Sequence, residues 1–301
     1  MNYKTALLFP GQGSHCHQMF DKIKSDSLFI ELHNTVSSVL NENLVDRFKS
    51  KDQTFINSNI ISSISTILCS VYSLTKLKEK NINFDLVSGY SVGQYTALFA
   101  ADMINFETLC NLIKERCELM DDVMKVYDAG MLAVIGLEQK NIEDICLKLR
   151  CKNNEQLWIS NYNAPGQFTI AGKKKSLFVA EKELKKLNAL KLIHIPVSGA
   201  WHCPLLNTAA AKFNIILKSY PFKTTNCKVV DNVTGLYLPE NKANLIDTLC
   251  KHLKSPVLWH KSIEFLINEG ANLYYEVGYG NTLSKYGFFI NRKVKFKPTL
   301  I

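Results

Sequence analysis

The chain of 301 residues has no uninterrupted apolar run of about 18 residues, so no helix is predicted to span a membrane. It has no two cysteines separated by two residues, and its nine cysteines are odd in number and scattered. This pattern favours reduced thiols in a cytoplasmic protein over disulfides or a zinc site. Repeats and low-complexity segments are also absent, and the polar first residues predict no signal peptide.

Arginine is scarce, since only four of the 36 basic residues are arginines, although the net charge is +9. Proteins that read nucleic acids use arginine for bidentate contacts, and no helix-turn-helix, zinc or ribonucleoprotein motif is present. We therefore expect no nucleic acid partner. The positive excess is compatible with an acidic protein or an anionic surface as a partner.

The overall composition is that of a globular protein, because 47% of the residues are hydrophobic and 21% are charged. Apolar spacing predicts a first strand over 5–9 and helices from about 27 to 80. A short strand over 85–89 and helices over 95–103 and 106–124 follow. This mixture of strands and helices indicates an α/β domain.

The pattern changes near residue 128 and resumes after residue 197. Between them the order is β-α-β-β-α-β, which is typical of a ferredoxin-like unit. We predict one large α/β domain with a parallel-sheet core, over 1–127 and 198–301, and a small inserted ferredoxin-like α+β subdomain over 128–197. The predicted strands of the insertion are 130–135, 157–162, 168–172 and 190–197, and its helices are 141–149 and 174–187. After it we predict helices over 204–220, 242–253 and 262–269 and strands over 227–232 and 273–277.

The segment from Gly89 to Gly93 matches the pattern G-x-S-x-G and lies between a predicted strand and an apolar helix. This is the setting of a nucleophile elbow, where the sharp turn leaves no room for a Cβ atom on either side of the serine. The turn places Ser91 at a helix N-terminus, which favours negative charge. We predict Ser91 as a nucleophile, the alternative being a tight turn with a capping serine.

A serine nucleophile needs a base, and His202 is the best candidate among the seven histidines. It follows a predicted strand in a loop of small residues, which is where catalytic groups usually lie. His194 lies within a predicted strand and is expected to be structural. His15 and His17, beside the first glycine-rich turn, could simply be solvated.

Two further signals are weak by themselves. The turn Gly11-Gln12-Gly13 offers backbone amides that could complete an oxyanion hole, provided that the first strand neighbours the serine strand; otherwise it is an ordinary turn. Arg116 could bind a carboxylate with two parallel hydrogen bonds. The residues alone nevertheless favour a surface arginine paired with Glu115 or Glu118.

These pieces occur together, in this order, in one family. The chain resembles the malonyl-CoA:acyl carrier protein transacylases and the acyltransferase domains of polyketide synthases, and we suspect a free-standing member. Six matches spread over nearly the whole chain make chance an unlikely source. The matching segments are 9–14 (FPGQGS), 89–94 (GYSVGQ), 116–120 (RCELM), 161–167 (NYNAPGQ) with 170–172 (IAG), 198–202 (SGAWH), and 276–280 (EVGYG).

The resemblance implies a hydrolase-like α/β domain carrying a ferredoxin-like subdomain, and it implies roles. Ser91 would be the acylated nucleophile and His202 its base. The backbone amides of Gln12 and Val92 would form the oxyanion hole, and Arg116 would bind the acyl carboxylate.

The chain also departs from the family pattern. Tyr90 replaces a histidine, Gln94 a glutamate and Tyr279 a proline, and His252 stands where a glutamine is usual. In the family a main-chain carbonyl at the position of His252 orients the catalytic histidine, so a changed side chain need not abolish that role. Trp201 takes the place of an aromatic residue common in malonyl-selective members, and with Tyr90 it marks the positions where acyl selectivity is expected.

The resemblance implies transfer of a malonyl group from malonyl-CoA to the phosphopantetheine thiol of an acyl carrier protein, for fatty-acid or polyketide synthesis. No permanently bound cofactor and no metal are expected, and the partner is expected to be an acidic carrier protein. We expect a cytoplasmic monomer.

Four alternatives stay open. They are an acyl hydrolase of the same fold, a transferase for a different acyl donor, an unrelated α/β-hydrolase esterase, and a non-catalytic docking subunit. An esterase usually has an acidic residue between the serine and the histidine, and the aspartates there occupy no convincing loop after a strand.

Overall fold

The computed structural model describes residues 4–299, which form nine strands, twelve α-helices and one short 3-10 helix, Pro204–Leu206. The strands are β1 (Lys4–Phe9), β2 (Leu86–Gly89), β3 (Ala129–Ile135), β4 (Leu157–Ala164), β5 (Gln167–Lys173), β6 (Lys191–Ile195), β7 (Lys228–Val230), β8 (Ala271–Glu276) and β9 (Lys295–Pro298). The helices are α1 (Ser27–Leu40), α2 (Leu44–Lys49), α3 (Gln53–Ile56), α4 (Asn59–Glu79), α5 (Gly93–Ala100), α6 (Phe106–Met124), α7 (Gln139–Asn153), α8 (Lys174–Lys186), α9 (Asn207–Ser219), α10 (Lys242–Lys254), α11 (Trp259–Asn268) and α12 (Thr282–Ile290).

Five strands form a parallel sheet in the order β7-β2-β1-β8-β9. The central strand β1 is buried from Ala6 to Phe9, as expected for a parallel strand covered by helices on both faces. Phe9 pairs with Gly89 at the end of β2, so the turn after the first strand lies beside the turn that carries Ser91. The condition set by the sequence for an oxyanion contribution from this turn is therefore met.

The other four strands form an antiparallel sheet in the order β4-β5-β3-β6, covered by α7 and α8. This β-α-β-β-α-β unit has its own apolar core, which includes Leu132, Ile170 and Leu177. The prediction of a parallel α/β layer combined with a ferredoxin-like unit is confirmed.

Several boundaries differ from the predictions, each for a local reason. Helix α5 begins at Gly93 rather than at residue 95, because it starts directly from the elbow. The predicted helix over 204–220 opens with a 3-10 turn at Pro204 before α9 begins. Helix α12 and strand β9 were not predicted, because Phe288 and Phe289 of α12 face solvent and hide its apolar periodicity.

Helix α4 is 21 residues long and, by length and composition alone, apolar enough to cross a membrane. The structure buries 78% of its most apolar window, in contact with α1, α5 and α6. A core helix of a globular domain passes the same test, so this helix is explained by the core. The absence of a membrane span stays a prediction.

Helix α5 packs against β1 at a distance that only glycine allows. A Cβ atom on Gly93 would lie 2.2 Å from the carbonyl oxygen of Phe9 and 2.7 Å from that of Pro10. Both of these atoms belong to the backbone, so they cannot move aside by a change of side-chain rotamer. The contact between the elbow and β1 therefore depends on this glycine.

Gly93→Ala is expected to lower the free energy of unfolding by about 3 kcal/mol or more, because the new methyl group overlaps backbone. Gly130→Ala in β3 is the matched control, since its Cβ would meet only side-chain carbons at 3.8 and 3.9 Å. We expect the control to leave stability unchanged or to raise it by up to about 1 kcal/mol. Denaturant unfolding measures both, and equal stability of the two variants would contradict the steric argument.

Candidate active site

Ser91 lies at the turn between β2 and α5, in the left-handed backbone region with φ of 54°. This conformation is rare for a residue with a side chain, and it costs energy that surrounding contacts must supply. A Cβ atom on Gly89 would lie 1.9 Å from the carbonyl oxygen of Gly93, so the glycine before the serine is also required. The predicted strand, turn and helix are all present.

His202 is hydrogen-bonded to Ser91, since its Nε2 lies 2.7 Å from the serine Oγ. Its other ring nitrogen, Nδ1, lies 2.8 Å from the main-chain carbonyl oxygen of His252. A carbonyl can only accept, so Nδ1 carries the hydrogen and Nε2 is left to accept the serine hydroxyl hydrogen. The tautomer required of a base is thus set by a backbone group.

Burial and, as a smaller effect, the positive charge of Arg116 together lower the pKa of His202 to about 3, against the opposing effect of the carbonyl at residue 252. The imidazole is therefore neutral at neutral pH. A neutral ring with a free Nε2 lone pair is the form that can take a proton.

The side chain of His252 packs against the ring of His202, with ring centroids 5.0 Å apart and the ring planes tilted by 37°. The ring centroid of Tyr95, a residue of α5, lies 5.9 Å from the ring centroid of His252. Within the described residues, neither ring nitrogen of His252 has a hydrogen-bond partner. Burial, followed by the neighbouring His202 and Arg116, lowers the pKa of His252 well below its usual value. This side chain is consequently an uncharged packing surface.

Arg116 is buried on α6, with only 2% of its surface exposed. Its guanidinium carbon lies 5.5 Å from the centre of the Tyr95 ring, a cation–π contact. In the part of the chain that the structure describes, its Nε has no hydrogen-bond partner and no carboxylate forms an ion pair with it. A buried charge without a counter-ion costs several kcal/mol, so this site favours an anionic group.

The surface alternative for Arg116 is wrong. Glu115 accepts a hydrogen bond from the hydroxyl of Tyr220 instead. Asp121 accepts a hydrogen bond from Asn59. Burial raises the pKa of Asp121 to about 6, against the smaller opposing effects of this hydrogen bond and of the charge of Arg116.

The side chain of Gln12 is anchored, because its Nε2 donates toward the backbone oxygen of Asn59 and the hydroxyls of Ser62 and Ser63, at 2.8 to 3.0 Å. This anchor fixes the turn after β1 on the first turn of α4. Among residues 4–299, the backbone N–H groups of Gln12 and Val92 donate to no other group. Both remain available beside Ser91.

Asn232, which follows β7, was missed by the sequence analysis. Its Oδ1 accepts a hydrogen bond from the backbone N–H of Ser91 at 2.8 Å, and its Nδ2 donates to the carbonyl of Gly89 at 2.6 Å. The asparagine therefore holds both sides of the elbow. It also occupies the amide of Ser91, which leaves the amide of Val92 as the free donor of the elbow. No local sequence signal marks this residue.

Tyr90 connects the elbow to the antiparallel sheet. Its hydroxyl donates to Asn163 Oδ1 at 2.7 Å and accepts from Asn161 Nδ2 at 2.8 Å, and both asparagines lie on β4. Its ring packs edge-on against Trp259. Trp201, directly before His202, is 4% exposed. The two predicted selectivity positions are thus rigidly held.

A cavity of about 220 Å3 separates the two sheets at this point, and Ser91, His202, Tyr90, Trp201 and Gln12 all line it. Its far walls come from β3, from β5 and from the first turns of α12. Arg116 is not one of the lining residues, and it acts on the cavity through its charge.

The remaining candidates lie outside this cluster or have other partners. His194 is exposed on β6 and contacts Glu181, and His15 contacts Asn57 through its Nε2 at 3.1 Å. Among the described residues no group of three or more histidine, cysteine or carboxylate side chains could hold a metal ion. All nine cysteines are free thiols.

No protein-family model matches the chain. A curated relative, the malonyl CoA-acyl carrier protein transacylase of Bacillus subtilis, is 30% identical over 297 residues, which are 97% of this chain and 92% of the relative. The relative of the same name from Staphylococcus aureus is 28% identical over 293 residues, 97% of this chain and 94% of that one.

Solved structures of transacylases are also similar to this chain. A malonyl-transacylase in complex with its type II polyketide synthase acyl-carrier protein is 26% identical, with a TM-score of 0.92, and 98% of this chain covers 95% of it. The transacylase of Clostridium perfringens is 28% identical, with a TM-score of 0.87 and coverage of 98% and 92%. Since the identity reaches 30% over nearly the whole length, the chain belongs to the malonyl CoA-acyl carrier protein transacylase family.

Proposed function

We propose that the chain transfers a malonyl group from malonyl-CoA to the phosphopantetheine thiol of an acyl carrier protein, in fatty-acid or polyketide synthesis. The observation that carries the proposal is the hydrogen-bonded pair of Ser91 and His202 together with a buried Arg116 that has no carboxylate partner among the described residues. The names of the relatives supply the donor and the acceptor.

In the first half-reaction, the Oγ of Ser91 attacks the thioester carbonyl carbon while its proton passes to His202 Nε2. The carbon–oxygen bond forms, and the carbon–sulfur bond then breaks. The leaving CoA sulfur takes the proton from His202 and departs as the thiol. The malonyl group is left as an ester on Ser91.

The negative charge that develops on the carbonyl oxygen needs donors that are already in place. The backbone N–H groups of Gln12 and Val92 fit this role, because neither is used elsewhere in the described part of the chain. Donors fixed in advance need no reorganisation during the reaction, which is why such sites contribute strongly to rate.

In the second half-reaction, His202 takes the proton of the phosphopantetheine thiol, and the sulfur attacks the ester carbonyl. The carbon–oxygen bond to Ser91 breaks, and the serine oxygen recovers the proton from His202. The kinetic mechanism is ping-pong, because the acyl-enzyme forms from the thioester of CoA before it reacts to give the thioester of the carrier protein. Atoms and charges balance without any permanently bound cofactor or metal.

Arg116 selects the acyl group, because a malonyl carboxylate supplies the counter-ion that this guanidinium lacks. This clamp argues against the alternative of a hydrolase of the same fold, in which water would replace the carrier thiol. It also argues against donors that lack a carboxylate.

Tyr90 and Trp201 are proposed to shape the acyl pocket. Trp201 lies directly before the base and lines the cavity, so its bulky ring is expected to crowd an α-methyl branch. The backbone carbonyl of His252 is proposed to orient the base. We therefore expect malonyl to be preferred over methylmalonyl.

We further propose that residues 128–197 form a subdomain inserted into a catalytic domain of 1–127 and 198–301. The antiparallel sheet from Ala129 to Ile195 and its separate core support these limits. The nine free thiols support a cytoplasmic location, and we propose a monomer with no nucleic acid partner.

Intact-protein mass spectrometry after brief mixing with malonyl-CoA tests the proposal. The expected result is a stable adduct of one malonyl group, absent from Ser91→Ala and much weaker with methylmalonyl-CoA. Rapid release of free CoA without an adduct would favour the hydrolase. An adduct that persists in Ser91→Ala would remove this serine as the nucleophile.

Arg116→Ala is expected to lower the rate of acylation by malonyl-CoA at least about 100-fold, because a charge-assisted bidentate contact is lost. Acylation by acetyl-CoA, which has no carboxylate, should change by less than about threefold. Rapid-quench kinetics with both donors gives the two rates. Equal losses would show that Arg116 supports the fold rather than binds the substrate.

The pH dependence of acylation follows from the lowered pKa of His202. The base must be neutral to accept a proton. A pKa of about 3 keeps the imidazole neutral at pH values far below 6.5, the usual pKa of a histidine. We expect kcat/KM for malonyl-CoA at about pH 5.5 to stay within twofold of its neutral value, whereas an ordinary histidine would retain about a tenth. Circular dichroism at the same pH controls for unfolding, and an acid limb near pH 6.5 would contradict the assignment.

A further inference from the structure

The segment from residue 277 to residue 299, which contains α12 and β9, is charged with one sign only. It carries five basic residues and no acidic residue. The basic residues are Lys285, Arg292, Lys293, Lys295 and Lys297. None of the five forms an ion pair with a carboxylate of the described chain.

The lysines of α8 provide a contrast within the same protein. Lys174 pairs with Asp128, Lys185 with Glu181 at 2.6 Å, and Lys186 with a further glutamate of the helix. A paired lysine projects little field, because its carboxylate partner cancels it at distances beyond the pair. The two lysine-rich surfaces are consequently not equivalent, and an acidic partner is attracted to the unpaired one.

Apolar surface lies in the middle of these charges. Phe288 and Phe289, the neighbours near the end of α12, are each 52% exposed and contact each other edge-on. The guanidinium of Arg292 lies 5.0 Å from the ring of Phe288. A groove of about 450 Å3 runs between this end of α12 and β9. Exposed aromatic side chains surrounded by polar groups are typical of protein interfaces.

The same helix reaches the active site at its other end. Thr282, Leu283 and Tyr286 line the cavity that contains Ser91. The closest carboxylate along the chain, Glu276, is buried and caps the helix through the N–H groups of Leu283 and Ser284. At 1.5 Å per residue, Leu283 and Phe289 are about 9 Å apart along the axis. A partner seated on the phenylalanines is therefore next to the mouth of the cavity.

We propose that the face formed by Phe288, Phe289 and the five basic residues of 277–299, here called the α12–β9 face, is the docking surface for the acidic carrier protein. The cations attract and orient an acidic surface, and the two rings cover an apolar spot on it. The thiol arm of the carrier then enters the cavity along α12. This inference rests on the proposed function and adds where the second substrate binds.

Two variants and one control separate docking from chemistry. The test variants are Phe288→Ala with Phe289→Ala, and Lys293→Glu with Lys295→Glu. The matched control is Phe178→Ala with Lys182→Glu on α8, because Phe178 is 57% exposed and Lys182 lies 4.4 Å above its ring. The control removes the same kind of aromatic and basic pair from the other lysine-rich surface.

Each protein is assayed in three reactions. These are acylation by malonyl-CoA, transfer from the acyl-enzyme to free pantetheine, and transfer to purified holo acyl carrier protein from Bacillus subtilis. We expect both test variants to raise KM for the carrier protein at least about tenfold, as hot-spot residues do. Acylation and transfer to pantetheine should stay within about twofold, which also reports that the variants are folded. The control should stay within about twofold in all three reactions.

Salt supplies an independent readout. Raising the ionic strength from about 50 mM to about 300 mM should increase KM for the carrier protein in the wild type, and less so in Lys293→Glu with Lys295→Glu. A structural role of the lysines would not produce this difference.

The other outcomes overturn the inference in recognisable ways. An unchanged KM for the carrier, with transfer intact, would refute the docking face and leave the proposed function standing. A parallel loss in the pantetheine or malonyl-CoA reactions would show that the face serves CoA or the fold. Dimers that the phenylalanine variant dissociates, with the carrier KM unchanged, would identify a second copy of the chain as the occupant. No transfer to the carrier by the wild type would overturn the proposed function together with the inference.

Discussion

The close approach of Gly93 to the carbonyl of Phe9 is the constraint on which the site depends. It presses the start of α5 against the end of β1 and forces Ser91 into the left-handed region. Because β7, β2 and β1 are parallel neighbours, their carboxyl ends meet at one edge of the sheet. Asn232, Ser91 and Gln12 come one from each of these ends, which is why residues distant in sequence meet at the elbow.

His202, the proposed base, donates its Nδ1 hydrogen to a backbone carbonyl, whereas many serine enzymes use a carboxylate in that place. A carbonyl sets the tautomer of His202 without adding a charge. A buried carboxylate in that place would attract the guanidinium of Arg116, whose charge already affects both His202 and His252. We infer that an uncharged orienting group keeps Arg116 available for the substrate. The same choice leaves His202 neutral, since no negative charge supports its protonated form.

Charge is distributed differently over the two units of the fold. The basic residues of α8, on the antiparallel sheet, are largely neutralised by neighbouring carboxylates. The basic residues of 277–299, next to the parallel sheet and the cavity, are not. Composition records only the total of +9, whereas the arrangement decides where an acidic surface is attracted. Because α12 also lines the cavity, that arrangement bears on the proposed second half-reaction.

The sequence by itself determined the features whose signals are local. The order of strands and helices in 128–197 follows from apolar periodicity, and the elbow follows from two glycines and a serine within five residues. Ser91 and His202 could be nominated because each follows a predicted strand. Helix α12 and strand β9 were not predicted, because the exposed Phe288 and Phe289 hide the apolar periodicity of α12 and because β9 is short and half lysine.

Only the tertiary structure decided the rest, because it depends on contacts between residues far apart in the chain. The hydrogen bond from the backbone N–H of Ser91 to Asn232 Oδ1 spans 141 residues, and the bond from His202 to the carbonyl of His252 spans 50. The burial of Arg116 is likewise set by the packing of α5 and α6, so the helix sequence alone favoured a surface position. Local patterns specify elements, whereas the pairing of donors, acceptors and charges is specified by how those elements pack.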